Sequence, residues 1–229
     1  MRADLFKGPF LLLLWQVAPV QVQTDQAGRV QLSLGYGAGQ FENRDLSCTG
    51  DILQVDPVPF KAGGAQLDYW PGAGTRVSAF GGGASGGTDD VWGGFQVAAE
   101  GRWIGAGIGL VHAPFEDMEQ VPSTYVRLGS RDRFHFRAET FPPTTAIGVT
   151  GDVLRMGVGY NRGLTRGPRG FVGATIGPYA DEHGGSGIFG EFELPVAGGL
   201  DLSLAGSLRE STVFSDGGFR AGVRYHFGR

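Results

Sequence analysis

Lysine and cysteine are nearly absent from this chain of 229 residues. Lys7 and Lys61 are the only lysines, and charged residues make up 18% of the chain, against a usual share of about 25%. A soluble protein normally spreads lysine over its surface, so the shortage indicates either a GC-rich genome or an outer surface that does not face water. The single cysteine, Cys48, excludes an internal disulfide and a metal site built from several cysteines.

A basic surface and a long apolar run are also missing. The formal net charge of −4 leaves no positive field for nucleic acid, so we expect no nucleic-acid partner. No segment beyond the N-terminal region reaches the length of about 18 apolar residues that a membrane-spanning helix needs. Any membrane span in this chain would therefore have to be a β-strand.

Glycine is the residue present in excess, at 42 of 229 positions. The glycines show no every-third-residue period, which excludes a collagen-like chain. Each glycine costs a helix about 1 kcal/mol relative to alanine, which disfavours a helical fold. Apolar residues make up 41% of the chain, enough to exclude a disordered tail. Glycine and aromatic residues repeated along short segments instead favour an all-β sandwich or barrel.

The N-terminus has the pattern of an export signal. Arg2 and Lys7 precede the short apolar run 9–15, which is too short to cross a bilayer as a helix. We predict a signal peptide over residues 1–25 and one barrel domain over 26–229. The cleavage site is not defined, because a proline follows Ala18, and a buried N-terminal strand is the alternative.

From Arg29 onward, apolar and other residues alternate with period two, as in β-strands. In segment 102–112, for example, Ile104 and Ile108 share one face while Gly105 and Gly107 share the other. The pattern predicts about twelve strands (10–12) in an all-β, antiparallel, up-and-down barrel. Residues 52–55 form either a further short strand or part of the loop 38–63. The predicted strands cover 29–37, 64–70, 75–82, 91–99, 102–112, 122–129, 133–140, 153–161, 170–179, 187–194, 199–209 and 217–227.

Alternation does not say which face points inward, since a soluble barrel and a transmembrane barrel share the same period. The connections favour the transmembrane barrel, because they alternate in length as expected for short periplasmic turns and long outer loops. Tight turns are predicted at 71–74, 100–101, 130–132 and 195–198, and a looser one at 162–169. Long or polar loops are predicted at 38–63, 83–90, 113–121, 141–152, 180–186 and 210–216.

Aromatic residues end several apolar faces, at positions that suit an interfacial girdle. These are Tyr36, Tyr69, Tyr160, Tyr225 and Phe227. In the last strand, Val223, Tyr225 and Phe227 alternate and end on an aromatic residue. This segment resembles the C-terminal assembly signal of bacterial outer-membrane proteins, although Gly228 and Arg229 follow the aromatic residue here.

The chain from 29 to 229 thus resembles the small outer-membrane β-barrels of Gram-negative bacteria. The resemblance implies a bacterial outer-membrane location, with outer-membrane lipid and the assembly machinery as partners, and we expect a monomer. A secreted soluble β-barrel or sandwich that binds a small apolar ligand is the alternative.

The face opposite the apolar one would line the lumen of such a barrel. Two interpretations stay open: a narrow porin-like path whose arginines attract anions, or a salt-bridge network that fills a structural barrel. Five aromatic residues, Trp92, Trp103, Tyr125, Phe171 and Phe189, would narrow the lumen. The predicted polar lining comprises Arg127, Arg133, His135, Arg137, Glu139, Arg155, Glu191, Glu193, Asp201, Arg220 and Arg224.

Catalytic motifs are not apparent. The four histidines, His112, His135, His183 and His226, stand in no obvious Ser/His pair or zinc motif, and the G-x-S-x-G elbow is missing. We therefore predict no catalytic residue, no metal ligand and no cofactor. A barrel enzyme that acts on lipid or peptide at the outer face is the alternative function.

Overall fold

A computed structural model describes residues 27–227, apart from 44, 47–51, 54–56, 73, 87–89, 113–119, 141–153, 162–166, 177–184 and 211–213. The predicted signal peptide 1–25, Cys48 and His183 lie outside the described residues. The described part of the chain contains no helix that is long and apolar enough to cross a membrane.

Twelve antiparallel strands close into a barrel, which confirms the predicted fold class and strand number. Each barrel strand pairs with its neighbours along the chain, and β1 closes the ring by pairing with both β14 and β4. Two short strands, β2 and β3, pair with each other outside the barrel. The strands are β1 (Val30–Asn43), β2 (Asp45–Leu46), β3 (Ile52–Leu53), β4 (Val58–Gly72), β5 (Thr75–Ser85), β6 (Asp90–Glu100), β7 (Ile104–His112), β8 (Val121–Gly129), β9 (Phe134–Thr140), β10 (Leu154–Asn161), β11 (Arg169–Ile176), β12 (Ser186–Ala197), β13 (Leu200–Glu210) and β14 (Phe214–Phe227).

The two ends of the barrel differ in their connections. At the end where β1 begins and β14 finishes, which we call the turn end, the connections are 73–74, 101–103, 130–133, 162–168 and 198–199. At the opposite end, the loop end, they are 44–57, 86–89, 113–120, 141–153, 177–185 and 211–213. The predicted sorting is present in part, since 44–57, 113–120, 141–153 and 177–185 are longer than every connection at the turn end. The loops predicted at 83–90 and 210–216 shorten to 86–89 and 211–213, because the flanking strands continue further.

The loop 38–63 was also predicted too long. Strands β1 and β4 pair in register from Val30 and Tyr69 as far as Phe41 and Val58, well beyond the clean alternation of their sequences. Glycine and alanine are too small to show an alternation of apolar and polar side chains there, so the sequence does not mark these residues as strand. The pairing between β1 and β4 maintains the extended backbone. Tyr36 consequently lies in the middle of β1, not at a strand end as predicted.

Apolar side chains point outward and charged side chains point inward. Leu204, Val158 and Ile108 are 48%, 53% and 61% exposed, whereas Arg127 and Asp201 are 3% and 4% exposed. A soluble barrel would show the reverse, since its charges face water and its apolar side chains fill the core. The arrangement is that of a transmembrane barrel, in which the apolar band faces lipid.

Outward-facing aromatic residues gather at the turn end of the barrel. Phe134 and Tyr160 lie with ring centroids 4.8 Å apart, and Tyr225 and Phe227 with centroids 4.6 Å apart. Trp103 joins this aromatic belt with 59% of its surface exposed. It was predicted to narrow the lumen, but β7 begins only at Ile104, so Trp103 lies in the turn and points outward.

Candidate functional site

The lumen encloses a cavity of about 250 Å³ whose wall is mostly polar. Eleven of the twelve barrel strands, all except β7, contribute described residues to that wall. Three groups of ion pairs hold most of the described charged side chains inside the barrel.

The first group joins β5, β6 and β8. The guanidinium of Arg127 donates 2.6 Å hydrogen bonds to the carbonyl oxygens of Gly101 and Gly129, which ties two neighbouring turns together. Glu100 lies 3.4 Å from Arg127 and 3.8 Å from Arg76. Arg76 also lies over the ring of Tyr125, with its guanidinium carbon 5.4 Å from the ring centroid. This group anchors charge at the turn end.

The second group joins β9, β10 and β12. Glu191 lies 2.8 Å from Arg155 and 3.3 Å from Arg137, so one carboxylate is shared by two arginines. Arg137 also lies 3.1 Å from Glu139 on its own strand. Phe171 supports Arg137, whose guanidinium carbon is 3.7 Å from the ring centroid, a cation–π distance. Arg155 lies in the same way over Phe189, at 3.9 Å.

The third group joins β11, β12, β13 and β14 to β1. Arg169 lies 3.2 Å from Glu193 and 3.4 Å from Asp201. Arg224 pairs with the same Glu193 and donates to the Ser33 hydroxyl at 2.9 Å. Asp201 is also 2.8 Å from His226. The charges of this group thus lie on β11 to β14, and β1 contributes a hydroxyl at the β1–β14 closure.

These ion pairs run along the wall rather than across the lumen. In the barrel order, Arg155 and Glu191 lie two strands apart, and Arg137 and Glu191 lie three strands apart. Opposite walls of a twelve-stranded barrel are six strands apart. The described side chains of the three groups therefore pair on their own side and leave the cavity in the middle.

Of the predicted lumen residues, Arg127, His135, Glu139, Arg155 and Asp201 are buried inside the barrel. The side chains of Arg137, Glu191, Glu193, Arg220 and Arg224 border the cavity. Arg133 stands apart from them, because β9 begins at Phe134 and Arg133 lies in the turn 130–133 with an exposed side chain.

Several inward-facing polar residues were not predicted from the sequence. Asp68 is 2% exposed and accepts hydrogen bonds from Gln66 Nε2 at 2.9 Å and from the Ser78 hydroxyl at 2.5 Å. Arg76 and Arg169 were missed as well. The period-two pattern contains the signal, because Ser78 and Arg76 are two positions apart on one strand, as are Gln66 and Asp68 on the next.

Glycines on the inner face make room for large side chains. A Cβ atom on Gly159 would lie 2.3 Å from His135 Nε2, and one on Gly82 would lie 2.4 Å from Trp92 Cζ2. Both distances are far below van der Waals contact. The imidazole and the indole can therefore pack against the neighbouring strand only because glycine stands at the position that each ring contacts.

Apolar side chains fill part of the lumen nearer the loop end. Phe60 and Ala62 form one buried cluster, against which Trp92 packs. Phe80, Val111 and Val121 form another. The lumen is thus polar and charged toward the turn end and more apolar toward the loop end.

Among the residues that the structure describes, there is no group of three or more His, Cys, Asp or Glu side chains placed to hold a metal ion. The described arginines and carboxylates are held by these contacts around a cavity of about 250 Å³.

Solved structures with a similar fold are outer-membrane proteins. An outer-membrane channel from Pseudomonas putida F1 matches with a TM-score of 0.55 and 11% identity, over 92% of this chain and 99% of that chain. The β domain of the Bordetella autotransporter BrkA matches with a TM-score of 0.49 and 13% identity, over 87% and 100%. The translocator domain of the autotransporter NalP from Neisseria meningitidis gives 0.46 and 10%, over 88% and 90%. The sequence matches no protein-family model and no curated protein. The closed twelve-stranded barrel, with its apolar outside and charged lumen, has the fold of a small outer-membrane β-barrel.

Proposed function

We propose that this protein is a narrow channel of the bacterial outer membrane and that it favours small anions. The outward apolar face supports a location in a lipid bilayer, and the aromatic belt at the turn end suits the periplasmic interface. The outer-membrane channel of Pseudomonas putida with the same fold supports both the membrane and the transport role. The turn end would then face the periplasm.

The observation that carries the proposal is the charge of the cavity wall. Seven arginines border the cavity against five carboxylates, which is an excess of two positive charges. A wall with more cationic than anionic groups attracts anions, as charged rings do in pores. The arginines are Arg76, Arg127, Arg131, Arg137, Arg169, Arg220 and Arg224, and the carboxylates are Asp68, Glu100, Glu139, Glu191 and Glu193.

Ion pairs that stay on one side of the barrel favour an open route through the lumen over a lumen that side chains close. A network that closed the lumen would link opposite walls, whereas Arg155, Arg137 and Glu191 pair over only two or three strands. The cavity of about 250 Å³ accommodates roughly eight waters, at about 30 Å³ each in the liquid. A partly dehydrated small anion fits such a space.

The experiment is conductance in planar bilayers, with purified protein that migrates as a heat-modifiable folded barrel. We expect discrete conductance steps and a higher permeability for chloride than for potassium. Arg224→Gln should lower the chloride-to-potassium ratio about sixfold, since a unit charge about 8 Å from the path changes the energy of each ion by roughly 0.5 kcal/mol in water, in opposite directions for the two ions. In that variant Glu193 retains its ion pair with Arg169, so the carboxylate still has a partner and we expect the fold to be preserved.

Arg133→Gln is the matched control, because it removes the same charge from the exposed turn and should leave the ratio unchanged. Bilayers that stay silent with folded protein would contradict the channel and leave a structural barrel. Equal effects of the two substitutions would contradict selection by the lumen.

A further inference from the structure

Asp68 of β4 differs from the other acids of the lumen because it has no ion pair. It accepts hydrogen bonds from two neutral groups, Gln66 Nε2 at 2.9 and 3.1 Å and the Ser78 hydroxyl at 2.5 Å. Among the described residues, no cation lies within ion-pair distance of Asp68, and Arg76 on the neighbouring strand pairs with Glu100 instead. The other lumen acids whose side chains the structure describes each have an arginine within that distance: Glu100, Glu139, Glu191, Glu193 and Asp201.

The amide of Gln66, beside this carboxylate, has an unused acceptor. Gln66 is 8% exposed, and its Oε1 atom accepts no hydrogen bond. A buried acceptor without a donor is unfavourable. A carboxylate has about four acceptor positions, of which the contacts from Gln66 and Ser78 use three. Asp68 and Gln66 both border the cavity, so together they leave room for a further donor there.

The inner wall around Asp68 is neutral and rich in hydrogen-bonding groups. In the register, Gln31 and Ser33 of β1 pair with Asp68 and Gln66, and Ser78 of β5 pairs with Asp68. None of these four neighbours carries a charge. A carboxylate without an ion pair in a neutral wall attracts a group that is both cationic and a hydrogen-bond donor, and an ammonium group has both properties.

A guanidinium lies on the same cross-strand row as Gln66. Arg224 of β14 pairs with Ser33, and Ser33 pairs with Gln66, so the backbones of Arg224 and Gln66 are about 10 Å apart. Arg224 donates from Nε to the Ser33 hydroxyl and from Nη1 to Glu193. A guanidinium has five N–H donors, so Arg224, which borders the cavity, retains donors beyond those two bonds.

We propose that this part of the wall, which we call the Asp68 site, binds a small zwitterion such as an α-amino acid. Its ammonium group lies on Asp68 and Gln66, and its carboxylate points toward Arg224. A simple cation is repelled by the excess of arginines around the cavity, and a simple anion has no use for Asp68. The inference rests on the proposed channel, through which the solute enters the lumen, and it adds zwitterions to the anions that the channel passes.

The test measures binding to the full-length folded protein in detergent, by line broadening of ¹³C-labelled glycine, acetate and methylamine. Glycine should bind more tightly than acetate, which lacks the ammonium group, and more tightly than methylamine, which lacks the carboxylate. Glycine that binds no more tightly than acetate would overturn the proposal, and this comparison needs no variant.

Two substitutions separate the two ends of the site. Asp68→Asn keeps the shape of the side chain and should raise the dissociation constant of glycine about tenfold, the effect of losing one charged hydrogen-bonding partner, without weakening acetate binding. Arg224→Gln should weaken the binding of glycine and acetate alike. Asp132→Asn is the matched control, because it removes the same charge from the turn 130–133 and should leave both dissociation constants unchanged.

The site and the channel can fail separately. Silent bilayers, together with glycine binding that Asp68→Asn weakens, would contradict the channel and support the Asp68 site. Chloride-selective conductance, together with unchanged glycine binding in the folded Asp68→Asn variant, would overturn the Asp68 site and leave the channel standing.

Discussion

Glu191 lies 2.8 Å from Arg155, and this ion pair passes over β11 to join β12 to β10. Neither residue is near the other in sequence, and neither belongs to a recognisable motif. The pair shows how the barrel uses its charges: they brace the wall from inside while they keep the arginines at the border of the cavity.

The first prediction concerns that brace. Glu191→Gln and Arg155→Gln should each lower the free energy of unfolding, because each leaves a largely buried charge without its main partner. The double variant should lose less than the sum, with a coupling energy of about 1–3 kcal/mol. Denaturant unfolding in lipid vesicles measures the coupling energy from the parent protein, the two single variants and the double variant. Strictly additive losses would show that the coupling energy between Glu191 and Arg155 is zero.

The second prediction concerns the space above Gly82, against which Trp92 packs. Gly82→Ala should lower the free energy of unfolding by about 1–3 kcal/mol, the usual effect of overpacking, since its Cβ would lie 2.4 Å from Trp92 Cζ2 and 2.5 Å from the Gly63 carbonyl oxygen. The same unfolding assay applies. Gly170→Ala is the control, because the nearest atom to its Cβ is the Glu191 carbonyl oxygen at 3.8 Å. A Gly82→Ala barrel as stable as the control would contradict the close packing of the indole.

The third prediction tests the lipid-facing surface. Leu204, outward on β13, pairs with Phe192 and Ala221, whereas Val196 lies beside the turn 198–199. Leu204→Arg should destabilise the barrel in vesicles by about 2–4 kcal/mol, and Val196→Arg by about 0–1 kcal/mol, since arginine is penalised most at the bilayer midplane. Unfolding in vesicles compares the two. Equal losses at both positions would contradict the proposed orientation of the band.

The fourth prediction concerns the C-terminal strand. Val223, Tyr225 and Phe227 pair with Leu34, Leu32 and Val30 at the closure of the barrel. Tyr225→Ser combined with Phe227→Ser should reduce the folded protein recovered in outer membranes of an expressing Gram-negative host, while refolding in detergent continues. Phe219→Ser, outward on the same strand but far from its end, should assemble normally. Parallel losses in cells and in detergent would mean that these residues stabilise the barrel without acting as an assembly signal.

Much of the barrel could be predicted from period-two alternation, because side-chain burial follows it directly. Segment 102–112 shows this, since Ile104 and Ile108 point outward and Gly105 and Gly109 inward. The strand ends were less predictable. The glycine-rich ends of β1 and β4 carry no alternation and are defined by pairing between residues distant in sequence, 21 positions apart for Gly39 and Phe60 and 29 positions apart for Gly35 and Gly64.

The sequence could predict which residues face the lumen, but not which of them contact one another. Alternation assigns Arg137 and Glu191 to the inside, but they lie 54 positions apart, and their contact depends on how three strand pairs stagger. A shift of one residue in a strand boundary was enough to misplace Arg133, and a shift of two residues misplaced Trp103, because both residues lie in turns and not in strands. The cross-strand row of glycines likewise emerges only when the registers of β14, β1, β4 and β5 are aligned, which pairs Gly222, Gly35, Gly64 and Gly82 in turn.

The most direct test of the account is the reversal potential of the unmodified protein in a planar bilayer that separates two KCl concentrations. An excess of two arginines around the cavity predicts a potential displaced toward the chloride equilibrium value. A potential displaced toward the potassium equilibrium value would contradict the account.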